Sequence, residues 1–167
     1  MHSGLKCVGG KNGGTPSALK CMTSLFEEVQ ESIVAIQRVP MDQTKNYGIV
    51  EGQPYKERTY KVEKMFEKPA PGVTESNMAI IGRYILQPEI FSLLEETEPG
   101  YGGEIQLTDA LLKLSRKRAM YAYEFEGMRF DAGDKLGYLK AIIAFGTRHP
   151  ELGEEFKQYI KQVSADF

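Results

Sequence analysis

The strongest chemical signal in this sequence is the run Glu67, Lys68 and Pro69. The run stands where an alternating pattern of apolar and polar residues, 59–66, comes to an end, which is typical of a β-strand end. Neighbouring side chains on a strand point to opposite faces, but a strand end followed by proline can turn both charged groups toward one cleft. A carboxylate accepts hydrogen bonds from a neutral polyol and an ammonium group pairs with an anion, so the pair suits a sugar phosphate. The alternative is an ordinary exposed charge pair.

Two further strand-end positions collect functional groups. Tyr47 and Gly48 open an extended run, where the glycine indicates a bulge or a close approach to the backbone, or is simply the first residue of a strand. Asp131 and Asp134 follow a strand in a glycine turn, and an aspartate there can hold a divalent metal, although Asp-Gly sequences are commonly plain turns. Acids and bases beyond strand ends are better ligand-binding candidates than those on helix faces.

The composition excludes several classes of protein. The 167 residues are 41% apolar and 26% charged, which suits one globular domain. A formal net charge of −2 without a Lys/Arg cluster argues against a nucleic-acid partner. No apolar run approaches the ~20 residues of a membrane span, and the first residues lack the apolar core of a signal peptide. We therefore expect a cytoplasmic protein without a membrane partner, in which Cys7 and Cys21 are free thiols rather than a disulfide.

The first residues carry little pattern. Residues 1–14 are glycine-rich and aperiodic, which predicts a disordered or non-native leader. The run Gly9–Gly14 lacks the GxxxxGK[ST] spacing of a phosphate-binding loop. Thr15 as N-cap and Pro16 at the first helical position then predict a helix. The apolar face of that helix carries Leu19, Met22, Phe26 and Val29.

Strands and helices alternate along the rest of the chain. Gly52 and Pro54 predict a turn at 52–54. Strands interleaved with helices predict an α/β fold with a layered mixed sheet and flanking helices. Alternating or apolar runs predict strands at 33–39, 47–50, 59–67, 78–86 and 120–125, and helical spacing predicts helices at 88–94, 107–114, 136–143 and 152–163.

Five separated strings resemble one enzyme family. They occur in the order and spacing of the bacterial UTP–glucose-1-phosphate uridylyltransferases, and the resemblance covers residues 15–163. GRY and DAGDKLGY favour this branch over the related glucose-1-phosphate thymidylyltransferases. The strings are YGIV (Tyr47–Val50), FEKP (Phe66–Pro69), SNMAIIGRYIL (Ser76–Leu86), GGEIQLTDAL (Gly102–Leu111) and RFDAGDKLGYLKA (Arg129–Ala141).

The resemblance implies a Rossmann-like nucleotidyltransferase domain that makes UDP-glucose and pyrophosphate from UTP and glucose 1-phosphate. By similarity, Glu67 accepts hydrogen bonds from the glucose hydroxyls and Lys68 holds the sugar phosphate. Gly48, beside Tyr47, presents its backbone to the sugar, and Ile80 packs on the sugar side. These residues form the substrate-binding set that the resemblance implies.

The resemblance also implies a Mg²⁺ cofactor, with Asp131 as one of two aspartates that place it. The family's G-x-G-T-R loop, which holds the nucleotide-binding and catalytic basic residues, does not occur in these 167 residues. The family segment that carries the other metal aspartate is not recognised in them either. We therefore expect residues 15–167 to be a truncated C-terminal, sugar-binding part that lacks the N-terminal nucleotide-binding strands, has no catalytic residue of its own and is inactive alone. The alternative is a non-catalytic sugar-phosphate-binding or assembly module. Missing strands would leave an unpaired sheet edge, which predicts self-association.

Overall fold

A computed structural model describes residues 17–165, apart from the side chain of Tyr101. The chain divides into two compact units, with the boundary between Glu126 and Gly127. The predicted leader, including Cys7 and Gly9–Gly14, lies outside the described residues, as do Thr15 and Pro16. None of the described helices is both long and apolar enough to cross a membrane.

The first unit contains the strands. Its short 3-10 turns lie at Met41–Asn46 and Tyr101–Gly103. The second unit contains α4 (Lys135–Gly146) and α5 (Gly153–Ser164). The predicted α/β fold, with a mixed sheet and flanking helices, is confirmed. In chain order the elements of the first unit are α1 (Ala18–Val29), β1 (Ser32–Arg38), β2 (Gly48–Lys56), β3 (Thr59–Glu67), β4 (Met78–Ile85), α2 (Ile90–Glu95), α3 (Leu107–Lys117) and β5 (Met120–Glu124).

The five described strands close into a ring in the order β1-β4-β2-β3-β5, and β5 pairs back onto β1. The β1–β5 pair is parallel and the other four pairs are antiparallel. Closure depends on the length of the β2–β3 hairpin, because β4 pairs with β2 at one end of it and β5 pairs with β3 at the other. Each of these strands therefore has two neighbours, and the expected unpaired edge is wrong for the described part of the sheet.

The turn predicted at 52–54 is also wrong, because β2 continues through it. Its pairing with β3 shifts register next to Gly52 and again after Pro54, so these residues sit at irregularities that a strand tolerates. Gly52 lies against the backbone of Lys61, where a Cβ would have no room. The chain reverses instead at residues 57–58, where Arg58 has a left-handed backbone with φ of 57°.

Strand β1 is buried on both faces, which explains its continuous apolar sequence. Ile33 and Ala35 pack in a cluster with α1, whereas Val34 and Ile36 pack in the larger cluster beneath α2 and α3. All four side chains are fully buried. The two clusters hold α1 on one side of the sheet and α2 and α3 on the other.

Helix α1 begins at Ala18, later than the sequence predicts. Ser17 is its N-cap, and the Ser17 hydroxyl accepts a hydrogen bond from the Lys20 N–H at 3.3 Å. Leu19, which was predicted on the apolar face, is 55% exposed. The buried residues of α1 are Cys21, Met22 and Leu25.

A polar cluster joins three strands of the ring. The Arg38 guanidinium at the end of β1 contacts the Glu124 carboxylate of β5 at 3.2 Å and donates a hydrogen bond to the Tyr60 hydroxyl of β3 at 3.0 Å. The Tyr60 hydroxyl in turn donates to Glu124 at 3.0 Å. Each of the three side chains contacts the other two, so the cluster stabilises the closed arrangement of β1, β3 and β5.

The loop between β3 and β4 is tied to β2 by two hydroxyl groups. The Thr74 hydroxyl donates a hydrogen bond to Glu51 Oε1 at 2.6 Å, and the Ser76 hydroxyl donates to the Val50 carbonyl at 2.6 Å. Thr74 is buried, so its hydroxyl is shielded from water. These bonds fix the path of the chain from Glu67 to β4.

We expect Thr74→Val to lower the free energy of unfolding by about 1–2 kcal/mol at pH 7, because a hydrogen bond to a carboxylate is lost. The hydrogen bond from Thr74, and then Lys64, hold the pKa of Glu51 below its ordinary value. A lowered folded pKa stabilises the fold above the unfolded pKa, and this stability is lost as pH falls through the folded pKa. Urea unfolding should therefore show a smaller difference from wild type at about pH 3 than at pH 7.

The matched control is Thr44→Val, because the buried Thr44 hydroxyl donates to a neutral group, the Met41 carbonyl, at 2.8 Å. Its cost should not depend on pH in this range. Equal costs of Thr74→Val at both pH values would contradict the role assigned to Glu51.

Candidate functional site

An open cleft of about 260 Å³ lies in the first unit, where β2 begins and β3 ends. Four of the five sugar-site residues predicted from the sequence line it, namely Tyr47, Gly48, Glu67 and Ile80. The other lining residues are Asn46, Tyr84, Gln106, Leu107 and Thr108. The fold therefore brings together residues from β2, β3, β4 and the first turn of α3.

Glu67 provides the carboxylate of the cleft. It is the last residue of β3 and pairs with Gly48, the first residue of β2. Its side chain is 15% exposed, and Oε2 accepts a hydrogen bond from the Thr108 hydroxyl at 2.6 Å. A partly desolvated carboxylate with a fixed orientation is a strong acceptor for ligand hydroxyl groups.

Lys68 lies beside Glu67 because its backbone is left-handed. Its φ is 44°, and its N–H donates a hydrogen bond to the Tyr47 carbonyl at 3.0 Å. An extended residue here would point away from Glu67, but the left-handed turn leaves Lys68 Nζ 3.8 Å from Glu67 Oε1. The two charged groups lie close together, and the backbone of Lys68 itself produces this proximity, but of the two only Glu67 lines the cleft toward which both were predicted to turn. Lys68 is not among the residues that line the cleft.

Gly48 is a point of close approach. A Cβ on Gly48 would lie 3.2 Å from Ile80 Cδ1, 3.2 Å from Thr108 Oγ1 and 3.3 Å from Glu67 Oε2. The register of β2 and β3 is regular at this residue, and no positive φ requires glycine. Of the alternatives that the sequence left open, the bulge is wrong, and Gly48 is both the first residue of β2 and a point where three cleft side chains pack close to the backbone.

Tyr84 is a cleft residue that the sequence reasoning missed. It lies four residues after Ile80 on β4, so strand alternation places both side chains on the same face and could have identified it. Burial, and then the negative charge of Glu67, raise the pKa of Tyr84 above its ordinary value. The phenol is therefore neutral near pH 7 and keeps its proton for donation.

No sequence pattern comparable to strand alternation identifies the cleft residues that α3 contributes. Gln106 is the N-cap of α3, and Leu107 and Thr108 form its first turn. Thr108 stands 41 residues after Glu67 in the sequence. No periodicity in the sequence indicates that this helix start meets the end of β3.

Asp131 and Asp134 lie in the second unit, where they shape local backbone. Asp131 is exposed, and its Oδ1 accepts a hydrogen bond from the Gly133 N–H at 3.0 Å. Asp134 is the N-cap of α4, and its Oδ2 accepts from the Gly137 N–H at 2.7 Å. The plain-turn alternative thus describes the observed hydrogen bond of Asp131, whereas Asp134 caps a helix.

The residues present can supply only part of a metal site. The described chain contains no group of three or more His, Cys, Asp or Glu residues that could hold a metal ion. Asp131 Oδ2 has no role in the Asx turn with Gly133 and can act as one oxygen ligand. Magnesium commonly takes one or two protein carboxylates and completes its shell with water and substrate phosphates, so this donor fits such an ion.

Comparisons with known proteins agree on one family. A family model described as nucleotidyl transferase matches residues 11–147. A UTP–glucose-1-phosphate uridylyltransferase of Staphylococcus epidermidis is 42% identical over 146 residues, which are 87% of this chain and 51% of that relative. A protein of the same name from Pseudomonas aeruginosa is 50% identical over 125 residues, 75% of this chain and 45% of that relative.

The structural comparison gives the same result. A crystal structure of UDP-glucose pyrophosphorylase complexed with UDP-glucose matches with a TM-score of 0.76 and 44% sequence identity, over 80% of this chain and 51% of the other. The chain spans about half the length of the curated relatives it matches. The resemblance stated from the five strings is confirmed.

The left-handed backbone of Lys68 predicts an unusual order of stability. Both Lys68→Ala and Lys68→Gly remove the ammonium group, but only glycine adopts φ of 44° without steric cost. Lys68→Gly should therefore be more stable than Lys68→Ala by about 1 kcal/mol in urea unfolding.

Lys64, in the interior of β3, is the matched control. The order there should reverse, because glycine within a strand is about 0.5–1 kcal/mol less stable than alanine. If alanine were the more stable substitution at both positions, Lys68 would not be strained.

Proposed function

The chain belongs to the nucleotidyl transferase family, and we propose that its cleft is the sugar-phosphate site of a UTP–glucose-1-phosphate uridylyltransferase. One observation carries this proposal. The carboxylate of Glu67 and the ammonium group of Lys68 lie 3.8 Å apart at the end of one strand, next to a cleft of about 260 Å³. These are the groups needed to recognise a hydroxylated ring that bears a phosphate.

In the proposed reaction, a phosphate oxygen of glucose 1-phosphate attacks the α-phosphorus of UTP. A new P–O bond forms, the bond to the β-phosphate oxygen breaks, and pyrophosphate leaves with that electron pair. Such a reaction depends on positioning and on neutralising charge more than on covalent participation of the protein. The role proposed for this chain is to hold the attacking sugar phosphate.

Each cleft residue has a binding role in this proposal. Glu67 accepts hydrogen bonds from glucose hydroxyls, and its low exposure strengthens them. Lys68 pairs with the phosphate as a compact cation. Gly48, next to Tyr47, lets the ring approach the backbone, and Ile80 covers an apolar side of the sugar.

The magnesium ion is also part of the proposal. When bound, Mg²⁺ would supply positive charge that neutralises phosphate oxygens. Asp131 would contribute one carboxylate oxygen to it. Self-association and a cytoplasmic location, both expected from the sequence, stay predictions.

A non-catalytic sugar-phosphate-binding or assembly module is the second candidate. It is favoured by the sequence, in which no G-x-G-T-R segment occurs. Both candidates use the same cleft residues, so they differ only in turnover.

A binding experiment tests the sugar-phosphate site that both candidate functions require. We expect wild type to bind glucose 1-phosphate and UDP-glucose in isothermal titration calorimetry, and Lys68→Ala to weaken glucose 1-phosphate binding about tenfold because a charge-assisted phosphate contact is lost. Lys64→Ala is the control, since it removes an exposed ammonium group from the same strand. No binding to wild type would overturn the proposed function, and equal effects of the two substitutions would remove Lys68 from the site.

A turnover measurement can exclude the second candidate, the non-catalytic module. With UTP, glucose 1-phosphate and Mg²⁺, we expect no detectable pyrophosphate release, because the basic residues of the G-x-G-T-R loop do not occur in these 167 residues and would stabilise the departing phosphates. A coupled pyrophosphate assay measures this. Release at a rate typical of an enzyme would contradict the expectation and exclude the non-catalytic module.

A further inference from the structure

We propose that Thr108 is a positioning residue that orients the Glu67 carboxylate for the sugar, an inference that rests on the proposed function. The Thr108 hydroxyl donates to Glu67 Oε2 at 2.6 Å, and Lys68 Nζ lies 3.8 Å from Oε1. Each carboxylate oxygen therefore has one of these two groups as its neighbour. The hydrogen bond from Thr108 restricts the rotation of the carboxylate about its last side-chain bond, and the ammonium group adds an undirected charge contact.

The fixed carboxylate still has capacity for a ligand. Its two oxygens provide about four acceptor positions, of which Thr108 occupies one. A sugar with two adjacent hydroxyl groups can then bind across both oxygens at once. Without Thr108, the same carboxylate would have to lose rotational freedom when the sugar binds, which weakens binding.

Thr108 is held where this role requires. It is the second residue of α3, and the buried residues Ala110, Leu111 and Leu114 anchor that helix in the larger core cluster. A side chain on an anchored helix is a more rigid support than one on a loop. The Thr108 hydroxyl is thereby presented to the end of β3 by a fixed element.

Gly48 leaves the space in which Thr108 and Glu67 meet. A Cβ there would approach both Thr108 Oγ1 and Glu67 Oε2 within 3.3 Å. The hydrogen bond and the bare backbone of Gly48 thus belong to one packed corner of the cleft. A side chain at position 48 would therefore press on the two groups whose hydrogen bond orients the carboxylate.

The test compares three variants by calorimetry with glucose 1-phosphate. Thr108→Val keeps the shape and removes the donor, and should weaken binding about tenfold, whereas Thr108→Ser keeps the donor and should bind within about twofold of wild type. Thr97→Val is the matched control, because the buried Thr97 hydroxyl also donates a hydrogen bond at 2.6 Å, to the Leu93 carbonyl, but lies outside the cleft. It should leave the affinity unchanged.

A second measurement distinguishes the orientation of the Glu67 carboxylate by Thr108 from a purely structural role of Thr108. Glucose 1-phosphate is compared with analogues that each lack one ring hydroxyl. Removing the ring hydroxyl that donates a hydrogen bond to Glu67 should weaken binding to wild type most. The same removal should cause a smaller loss of affinity in Thr108→Val. In a Glu67→Ala background, Thr108→Val should have no further effect, since there is no carboxylate left to orient.

The outcomes are distinguishable. If wild type binds and Thr108→Val binds equally well, the positioning role is overturned while the proposed function stands. If Thr108→Val weakens all analogues by one factor, also in the Glu67→Ala background, the effect is structural and the inference fails. If wild type binds none of the ligands, both proposals fail. Should Thr108→Val not fold by circular dichroism, Thr108→Ala replaces it with the same expectations.

Discussion

The pairing of Gly48 with Glu67 across the β2–β3 hairpin is the constraint on which the rest of the site depends. It places a residue without a side chain opposite the carboxylate, so that Thr108 and Ile80 can approach from α3 and β4. A shift of one residue in this register would turn Glu67 to the opposite face of the sheet. The cleft therefore depends on hairpin register before it depends on any individual ligand contact.

The closed ring of strands stabilises that register. β4 pairs with the start of β2 and β5 pairs with the start of β3, so both ends of the long hairpin are held. The cluster of Arg38, Tyr60 and Glu124 reinforces the second of these contacts. The hydroxyl groups of Thr74 and Ser76 fix the loop that follows the Glu67–Lys68 pair. Support of this kind lets a rigid sheet carry functional groups at its strand ends.

The site also shows local conflict of the kind expected where binding groups are held in place. Lys68 adopts a left-handed backbone that favours glycine, and the Glu67 carboxyl group lies in a mostly buried position. Both arrangements cost stability that nearby hydrogen bonds offset, from the Lys68 N–H to the Tyr47 carbonyl and from the Thr108 hydroxyl to Glu67. The proposed sugar-phosphate site thus lies where tertiary contacts hold residues in a backbone conformation or an environment that is unfavourable for them.

The sequence by itself determined the elements and the candidate charges. Alternation from 59 to 66 predicted β3, the apolar run of β1 predicted a buried strand, and the five strings predicted the family that the comparisons then showed. These signals are readable because periodicity and turn residues act over a few neighbouring positions. Four of the five sugar-site residues that the resemblance implied line one cleft.

Only the tertiary structure decided which groups meet and how. The continuation of β2 through Gly52 and Pro54 depends on partner strands that tolerate its irregularities, and the closure of the ring depends on the length of the whole hairpin. Thr108 reaches Glu67 across 41 residues of sequence because α3 packs on the sheet, not because of any local pattern. Contacts of this kind arise from burying apolar surface in three dimensions, and the hydrogen bonds that orient the carboxylate are a consequence of that packing.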